Sequence, residues 1–256
     1  MENKLEPVII FENNDYLVIN KPAGLIVHGG AGITEPVLTD WLRKKYPEIE
    51  TVGDDPLRPG IVHRLDREAS GLMIITKTQK AFDHFKKLFK NRRVVKKYLA
   101  LAHGKISKDE DLIAFPIKRS KDGYRMAALP VSSETISDKN KPNNRDRGTL
   151  RAQEDSKEAI TEFCVLTRYI NYTLLDVKIK TGRTHQIRVH LYAYGHPLLG
   201  DNLYWTKKSK VKNEKVGLGR IFLVAKELSF KDLDGKKQNF SIELPADLQS
   251  FLDKTK

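Results

Sequence analysis

Between Arg58 and Gly71 the chain reads Arg-Pro-Gly-Ile-Val-His-Arg-Leu-Asp-Arg-Glu-Ala-Ser-Gly, its densest run of chemistry-bearing side chains. One carboxylate, Asp66, stands among His63, Arg64 and Arg67, directly before the apolar run Leu72-Met-Ile-Ile75. Neighbouring cations favour the anionic form of a carboxyl group. An ionised aspartate at the edge of a site can act as nucleophile, general base or metal ligand. The same residues also suit a solvated loop of exposed ion pairs, which are common and weak. Composition alone leaves both readings open.

A second cluster is Lys180-Thr-Gly-Arg-Thr-His-Gln-Ile-Arg-Val-His190. Its spacing predicts a helix over 184–194, ended by Gly195 and Pro197. Arg183, His185, Arg188 and His190 would fall in or beside its first turns. A helix start lined with Arg and His suits a phosphate or another anion. The plainer reading is that these side chains complete the helix start and pack locally. His185 and His190 are five apart rather than four, and no His-Glu-x-x-His occurs, so no metal site is expected. Gly29-Gly-Ala-Gly32 has neither phosphate-loop nor dinucleotide spacing, and Gly-x-Ser-x-Gly is absent. Tyr98, in Val95-Lys-Lys-Tyr-Leu-Ala100, would by itself pass for a core or rim tyrosine.

The elements that must position these residues follow from periodicity. Val8–Phe11 and Tyr16–Ile19 are apolar runs joined by Asn13-Asn-Asp15, a hairpin signature. A helix is predicted over 37–46, stopped by Pro47, and another over 79–91 with Phe82, Phe85, Leu88 and Phe89 on one side. Strands are predicted at 71–75, 98–102, 160–169, 172–179, 221–230 and 240–244, with a closing helix at 246–254. The sum is an α+β fold, a mixed, mainly antiparallel central sheet flanked by helices. The stretch 120–157 is polar and poor in large apolar residues. It reads as a mobile surface insertion within a single domain spanning 1–256, with an inter-domain linker as the alternative.

The 256 residues include 46 lysines and arginines against 33 acidic residues, a net +13. This fits either a solvated lysine-rich surface or a polyanionic partner. The basic residues sit in dispersed groups, among them Arg92-Arg93, Lys96-Lys97, Lys207-Lys208 and Lys236-Lys237. No stretch has the length and apolarity of a membrane span, and the polar start lacks a signal-peptide core. A single cysteine, Cys164, excludes an internal disulfide and a cysteine metal cluster, and points to a cytoplasmic-type compartment. Its apolar neighbours Phe163, Val165 and Leu166 predict a buried thiol.

Together these segments form an ordered set. His63-Arg-Leu-Asp66 followed by Ser70-Gly-Leu72 resembles the signature of the RluA-type pseudouridine synthases, of the kind that acts on large-subunit rRNA. Asn20-Lys-Pro-Ala-Gly24, Lys97-Tyr-Leu-Ala100, the 181–190 segment and Gly195-His-Pro-Leu-Leu-Gly-Asp201 fit the same family in the same order. The resemblance runs from about Val8 to Leu244 and is weakest over 120–157. It implies the pseudouridine synthase catalytic fold and isomerisation of uridine to pseudouridine in RNA, ribosomal RNA first and transfer RNA as the alternative. It makes Asp66 the catalytic aspartate, Tyr98 the ring that stacks on the target base, and Arg188 the arginine that pairs with the aspartate. Arg64 would hold or replace the flipped nucleotide, and His63, Lys21, Arg58, Arg183 and His185 would contact the substrate and its phosphates. Two positions depart: Ala69 stands where the family usually has Thr, and Val224 where it often has His. The catalytic pattern begins almost at once, so no N-terminal S4-type domain is expected.

That chemistry breaks the C1′–N1 bond, turns the base and joins C5 to C1′. No group or electron enters, so neither metal nor organic cofactor is expected. A carboxylate can attack the sugar or stabilise charge at C1′, as in glycosidases. Extruding the uridine costs a few kcal/mol, and stacking on an aromatic ring returns roughly 1–3 kcal/mol. Tyr98, or a water it holds, is a candidate base for the C5 proton. A non-catalytic RNA-binding module of the same fold and a metal-dependent nuclease are the competing readings. The second needs more carboxylates around Asp66 than the sequence supplies. A monomer is expected.

Overall fold

The computed structural model describes residues 5–30, 32–120, 125–129 and 155–255. They form two compact units, one of Met1–Ala100 with Leu218–Lys256 and one of Leu101–Gly217, the second inserted in sequence between the two parts of the first.

In the first unit, β1 (Val8–Glu12) and β2 (Tyr16–Lys21) make the expected hairpin. Asn13 closes it, its side-chain oxygen accepting the Asp15 and Tyr16 N–H groups at 3.0 and 2.8 Å. β3 (Ser70–Thr76) pairs antiparallel with β2 and is buried along its whole length, hence the unbroken apolar run Leu72–Ile75 at its centre. β10 (Leu223–Lys231) pairs parallel with β3 and antiparallel with β4 (Val95–His103), whose residues up to Ala100 belong to this unit. β11 (Lys237–Ser241) pairs with β10. The sheet is thus mixed and mainly antiparallel, the class read from the sequence.

α1 (Leu38–Lys45) ends before Pro47, which opens a 3₁₀ turn. α2 (Gln79–Lys90) is capped by the Thr78 hydroxyl, which accepts the Ala81 N–H. Its Phe85 joins Tyr16, Val18, Leu72, Ile74, Leu228 and Phe230 in the core. The closing helix, α5 (Ala246–Asp253), buries Leu248.

The second unit holds antiparallel β5 (Glu110–Ile113), β8 (Thr161–Arg168) and β9 (Tyr172–Ile179). It also holds a short hairpin of β6 (Ile117–Arg119) and β7 (Met126–Ala128). α3 (Gln186–Ala193) is buried on most sides, and α4 (Lys207–Val216) is not.

Three sequence expectations change. Cys164 is exposed, because β8 turns Phe163 inward and its neighbour outward. Part of 120–157 is ordered: β7 lies within it, and Lys157 exchanges backbone hydrogen bonds with Ile117 at 2.9 and 2.8 Å. Residues 121–124 and 130–154 of that stretch lie outside the described residues. The helix predicted from Thr184 starts at Gln186, since His185 takes a left-handed φ of 54°. Among the described residues no helix is long and apolar enough to cross a membrane.

Candidate active site

One row of the first unit's sheet organises the site. Lys21 on β2 is opposite Gly71 on β3, Gly71 is opposite Ala225 on β10, and Ala225 is opposite Tyr98 on β4. With strands about 4.8 Å apart, the row spans roughly 14 Å from Lys21 to Tyr98. Asp66 lies on the loop that enters β3 just ahead of this row. Gly71 is there because nothing larger fits. Its φ is +121°, and a Cβ built on it would lie 2.4 Å from the Ala225 carbonyl oxygen and 2.6 Å from the Ala225 nitrogen. The Ser-Gly-Leu motif thus lets β3 approach β10 where the Asp66 loop meets the sheet.

Lys21 corrects a sequence expectation. It is not a surface cation for RNA phosphates but fully buried. Its ammonium donates to three carbonyl oxygens, those of Pro22 at 2.9 Å, Leu25 at 2.8 Å and Arg67 at 3.2 Å. The Arg67 carbonyl also accepts the Gly24 N–H at 2.8 Å. Lys21 therefore ties the Lys-Pro-Ala-Gly loop to the loop carrying Asp66. Desolvation pulls its pKa down to about 7, against the attraction of Asp66 and Glu68.

The Asp66 loop is held from several sides. His63 faces inward: its Nε2 accepts the Ile74 N–H at 2.9 Å, and its ring stacks on Phe89 with centroids 4.6 Å apart. Desolvation, with Lys96 adding to it, pulls its pKa down to about 3. Its geometry anchors the loop to β3 and α2, a structural task rather than the substrate contact expected. Arg64 is exposed, and its guanidinium donates to His28 Nε2 at 2.9 Å. Since Arg64 can only donate, that nitrogen accepts, and His28 Nδ1–H donates to the Gly29 carbonyl at 2.8 Å. Desolvation lowers the Arg64 pKa, with Asp66 opposing and Arg58 adding to the lowering. Arg58 is half-exposed and pairs with Asp55 at 3.3 Å.

Tyr98 is buried at 7% exposure, and desolvation and then the Asp66 charge push its phenol well above the ordinary range. Such a hydroxyl stays protonated at neutral pH. That suits a stacking ring and a hydrogen-bond donor, and argues against Tyr98 itself taking the C5 proton. Lys21, Arg64 and Tyr98 therefore all feel the Asp66 carboxylate. The two departures from the family pattern, Ala69 and Val224, are buried at 2% and 0% exposure, where apolar side chains need no partner.

In the second unit, Arg188 is 1% exposed and grips Asp201 through two parallel bonds, Nε to Oδ2 and Nη2 to Oδ1, both 2.9 Å. Asp201 Oδ1 also accepts the Leu203 and Tyr204 N–H groups. The Arg188 guanidinium lies 5.4 Å from the Tyr204 ring centre. The Tyr204 hydroxyl accepts the Met126 N–H and lies 3.0 Å from His185 Nδ1. Arg183 donates to the Glu158 carbonyl. His190 is fully buried between Thr161 and the Phe115 carbonyl, a satisfied core histidine.

Sequence reasoning missed three participants. His28 carries no charge and sits in an apolar run, so nothing local marked it. Asp201 was visible only as the end of the Gly-His-Pro-Leu-Leu-Gly-Asp segment. Arg220 donates to the Ser70 hydroxyl and lies 3.5 Å from Asp247 on α5, and its repulsion contributes to lowering the Lys21 pKa. Among the described residues no group of three or more His, Cys, Asp or Glu could hold a metal ion.

Comparison with known proteins places this arrangement. Residues 15–193 match the family model described as RNA pseudouridylate synthase. An uncharacterized RNA pseudouridine synthase of Aquifex aeolicus is 39% identical, covering 94% of this chain and 71% of the relative. Ribosomal large subunit pseudouridine synthase D of Haemophilus ducreyi is 36% identical, covering 77% and 52%. The chain thus spans between about half and seven-tenths of these relatives' length. The solved structure of human RNA pseudouridylate synthase domain containing 1 superposes with a TM-score of 0.68 at 26% identity, covering 96% of this chain and 87% of that one. The match to the family model includes β2, the Asp66 loop, Tyr98 and α3, and the chain belongs to the RNA pseudouridylate synthase family.

Proposed function

We propose that this chain isomerises specific uridines in RNA to pseudouridine, with Asp66 as the catalytic carboxylate. One observation carries the reading: the Asp66 carboxylate on a loop locked by Lys21, with the protonated phenol of Tyr98 in its electrostatic field. In this reading Asp66 acts at the ribose while Tyr98 stacks on the extruded uracil and keeps its proton. A water is then the acceptor for the C5 proton. Arg188 keeps the part its motif implies by resemblance, and Asp201 fixes the orientation of its guanidinium. Arg64, steadied by His28, is the exposed cation for the displaced nucleotide or its phosphate. The RNA is ribosomal, supported by relatives named for the large ribosomal subunit. The protein works as a monomer in a reducing, cytoplasmic compartment.

The test is conversion of uridine in a large-subunit rRNA transcript by the purified chain, read by pseudouridine mapping. Asp66→Asn should abolish product while leaving RNA affinity and thermal unfolding within error of wild type. Turnover near wild type would remove Asp66 from its role. If the wild type modifies tRNA and leaves rRNA untouched, the choice of RNA is wrong and the chemistry stands.

A further inference from the structure

We propose that α4 and the tryptophan before it form a second RNA-docking surface, one that grips the substrate's phosphate backbone through residues other than those assigned to the target uridine. The inference rests on the reading of this chain as an RNA-modifying enzyme and specifies where in the second unit the RNA is held.

α4 carries Lys207, Lys208, Lys210, Lys212 and Lys215 against a single acid, Glu214. Ser209 is its one buried residue. At 100° per residue, Lys207, Lys208, Val211 and Lys215 fan across the face opposite Ser209 and Asn213, over about 12 Å of helix axis, with Lys210 at its flank and Glu214 between Lys210 and Lys207. These four lysines and Val211 are exposed. Trp205 is also exposed, at 37%, with the Lys210 ammonium 4.8 Å from its ring centre.

A lysine-rich helix is ordinarily just a solvated face, but here the charges are placed against the helix's own electrostatics. Lys207 and Lys208 occupy the first turn, which has no acidic residue, so cations sit at the positive end of the helix dipole. Lys207 and Lys210, Lys208 and Lys212, and Lys212 and Lys215 are like-charge pairs at helical neighbour spacing, each unfavourable. The one acid, Glu214, follows Lys210 in the weaker order for a helical ion pair. Among the described residues Lys207, Lys208 and Lys215 have no carboxylate partner. The helix forms because Thr206 and Ser209 cap it, Gly217 ends it in a left-handed turn and Asn213 pins it, not because its charges help. A polyanion laid along this face turns each of those penalties into an attraction. Interleaving the lysines with an exposed tryptophan favours nucleic acid over an acidic protein, since any base can stack on the ring.

The surface is fastened to a residue of the candidate site. Asn213 donates to the Asp201 carbonyl at 3.2 Å and accepts the Gly200 N–H at 3.0 Å, and His103 Nε2 donates to the same side-chain oxygen at 2.7 Å. Asp201 is the carboxylate that grips Arg188. RNA held on α4 therefore bears on the turn that orients Arg188.

The experiment compares wild type with the triple variant Lys207→Gln, Lys208→Gln, Lys210→Gln. Binding to a large-subunit rRNA fragment is measured across a salt series, beside a short hairpin holding only the target loop. The slope of log affinity against log salt should fall by about 2 if the RNA on α4 is single-stranded, or by about 2.7 if duplex. Binding of the short hairpin and its kcat should not change. The matching triple Lys→Arg variant should retain the wild-type slope, and Trp205→Ala should weaken long-RNA binding without altering the slope. An unchanged slope in the Gln variant overturns the proposal. So does an equal loss on the short hairpin, or a loss of binding to anionic phospholipid vesicles with RNA binding intact. Wild-type RNA binding without uridine conversion would defeat the enzymatic reading and leave the docking surface testable by the same slopes.

Discussion

Replacing Gly71 with alanine should separate two costs that the structure places at one residue. The new methyl would start 2.4 Å from the Ala225 carbonyl oxygen, whereas ordinary contact begins at 3.4 Å, so β3 and β10 must part by about 1 Å. Overpacking of this kind costs about 1–3 kcal/mol. The backbone at φ +121° adds about 1–3 kcal/mol for a residue with a side chain. The expected loss is therefore about 2–6 kcal/mol. Gly235→Ala is the control: its φ is +78°, but no atom lies within 4 Å of the added carbon, so only the backbone cost of about 1–2 kcal/mol applies. The two tryptophans make the measurement clean. Trp41 lies in the first unit and Trp205 in the second, so Trp205→Phe leaves one reporter for the unit carrying Gly71. Urea unfolding followed by Trp41 fluorescence gives the stability difference. Activity, measured with Trp205 retained, should fall about a hundredfold in kcat, the scale of a 1 Å displacement, because Ala225 carries the shift on to Tyr98. Equal stability losses for the two alanine variants, with kcat preserved in Gly71→Ala, would show that the close β3–β10 approach does not position the site.

Lys21 binds its proton less tightly in the fold than in the unfolded chain, its pKa falling from 10.5 to about 7. The unfolded chain thus holds the extra proton between those values, and stability should rise with pH from about 7 to 10. Lys21→Met should flatten that rise, and an unaltered pH profile would mean the ammonium is better solvated than its three carbonyl partners imply. His63, held near 3 against an ordinary 6.5, gives stability that is complete above pH 6.5 and lost as pH falls toward 3. His63→Gln, which keeps an acceptor for Ile74, should reduce this acid sensitivity in urea titrations at pH 4 and 7. Asp201→Ala strips Arg188 of its two-bond partner and should cost about 3–5 kcal/mol, read from Trp205 in the second unit; a loss below about 1 kcal/mol would indicate that the pair is dispensable.

Much of this protein was legible without coordinates. The strand read at 71–75 announces itself because a buried strand must be apolar, the one at 172–179 because Leu174, Val177 and Ile179 stand among polar neighbours, and α2 because Phe82 and Phe85 repeat at helical spacing. The Asp66 loop was legible because cations crowd one carboxylate ahead of a strand. What local pattern could not give was the destination of individual polar groups. Lys21 reads as a surface cation, yet oxygens from positions 22, 25 and 67 make burial tolerable for it. His63 reads as a site residue until Ile74 and Phe89 are seen to occupy it. His28 and Asp201 gain their tasks from Arg64 and Arg188, 36 and 13 residues away. α4 has almost no apolar face, so no periodicity marked it. Sequence alone determined the ordered motifs and the order of the elements bearing them, because these follow from residue type and spacing. Only the tertiary structure decided which polar groups are spent on the fold and which stay exposed, because the partners of a buried charge come from distant parts of the chain.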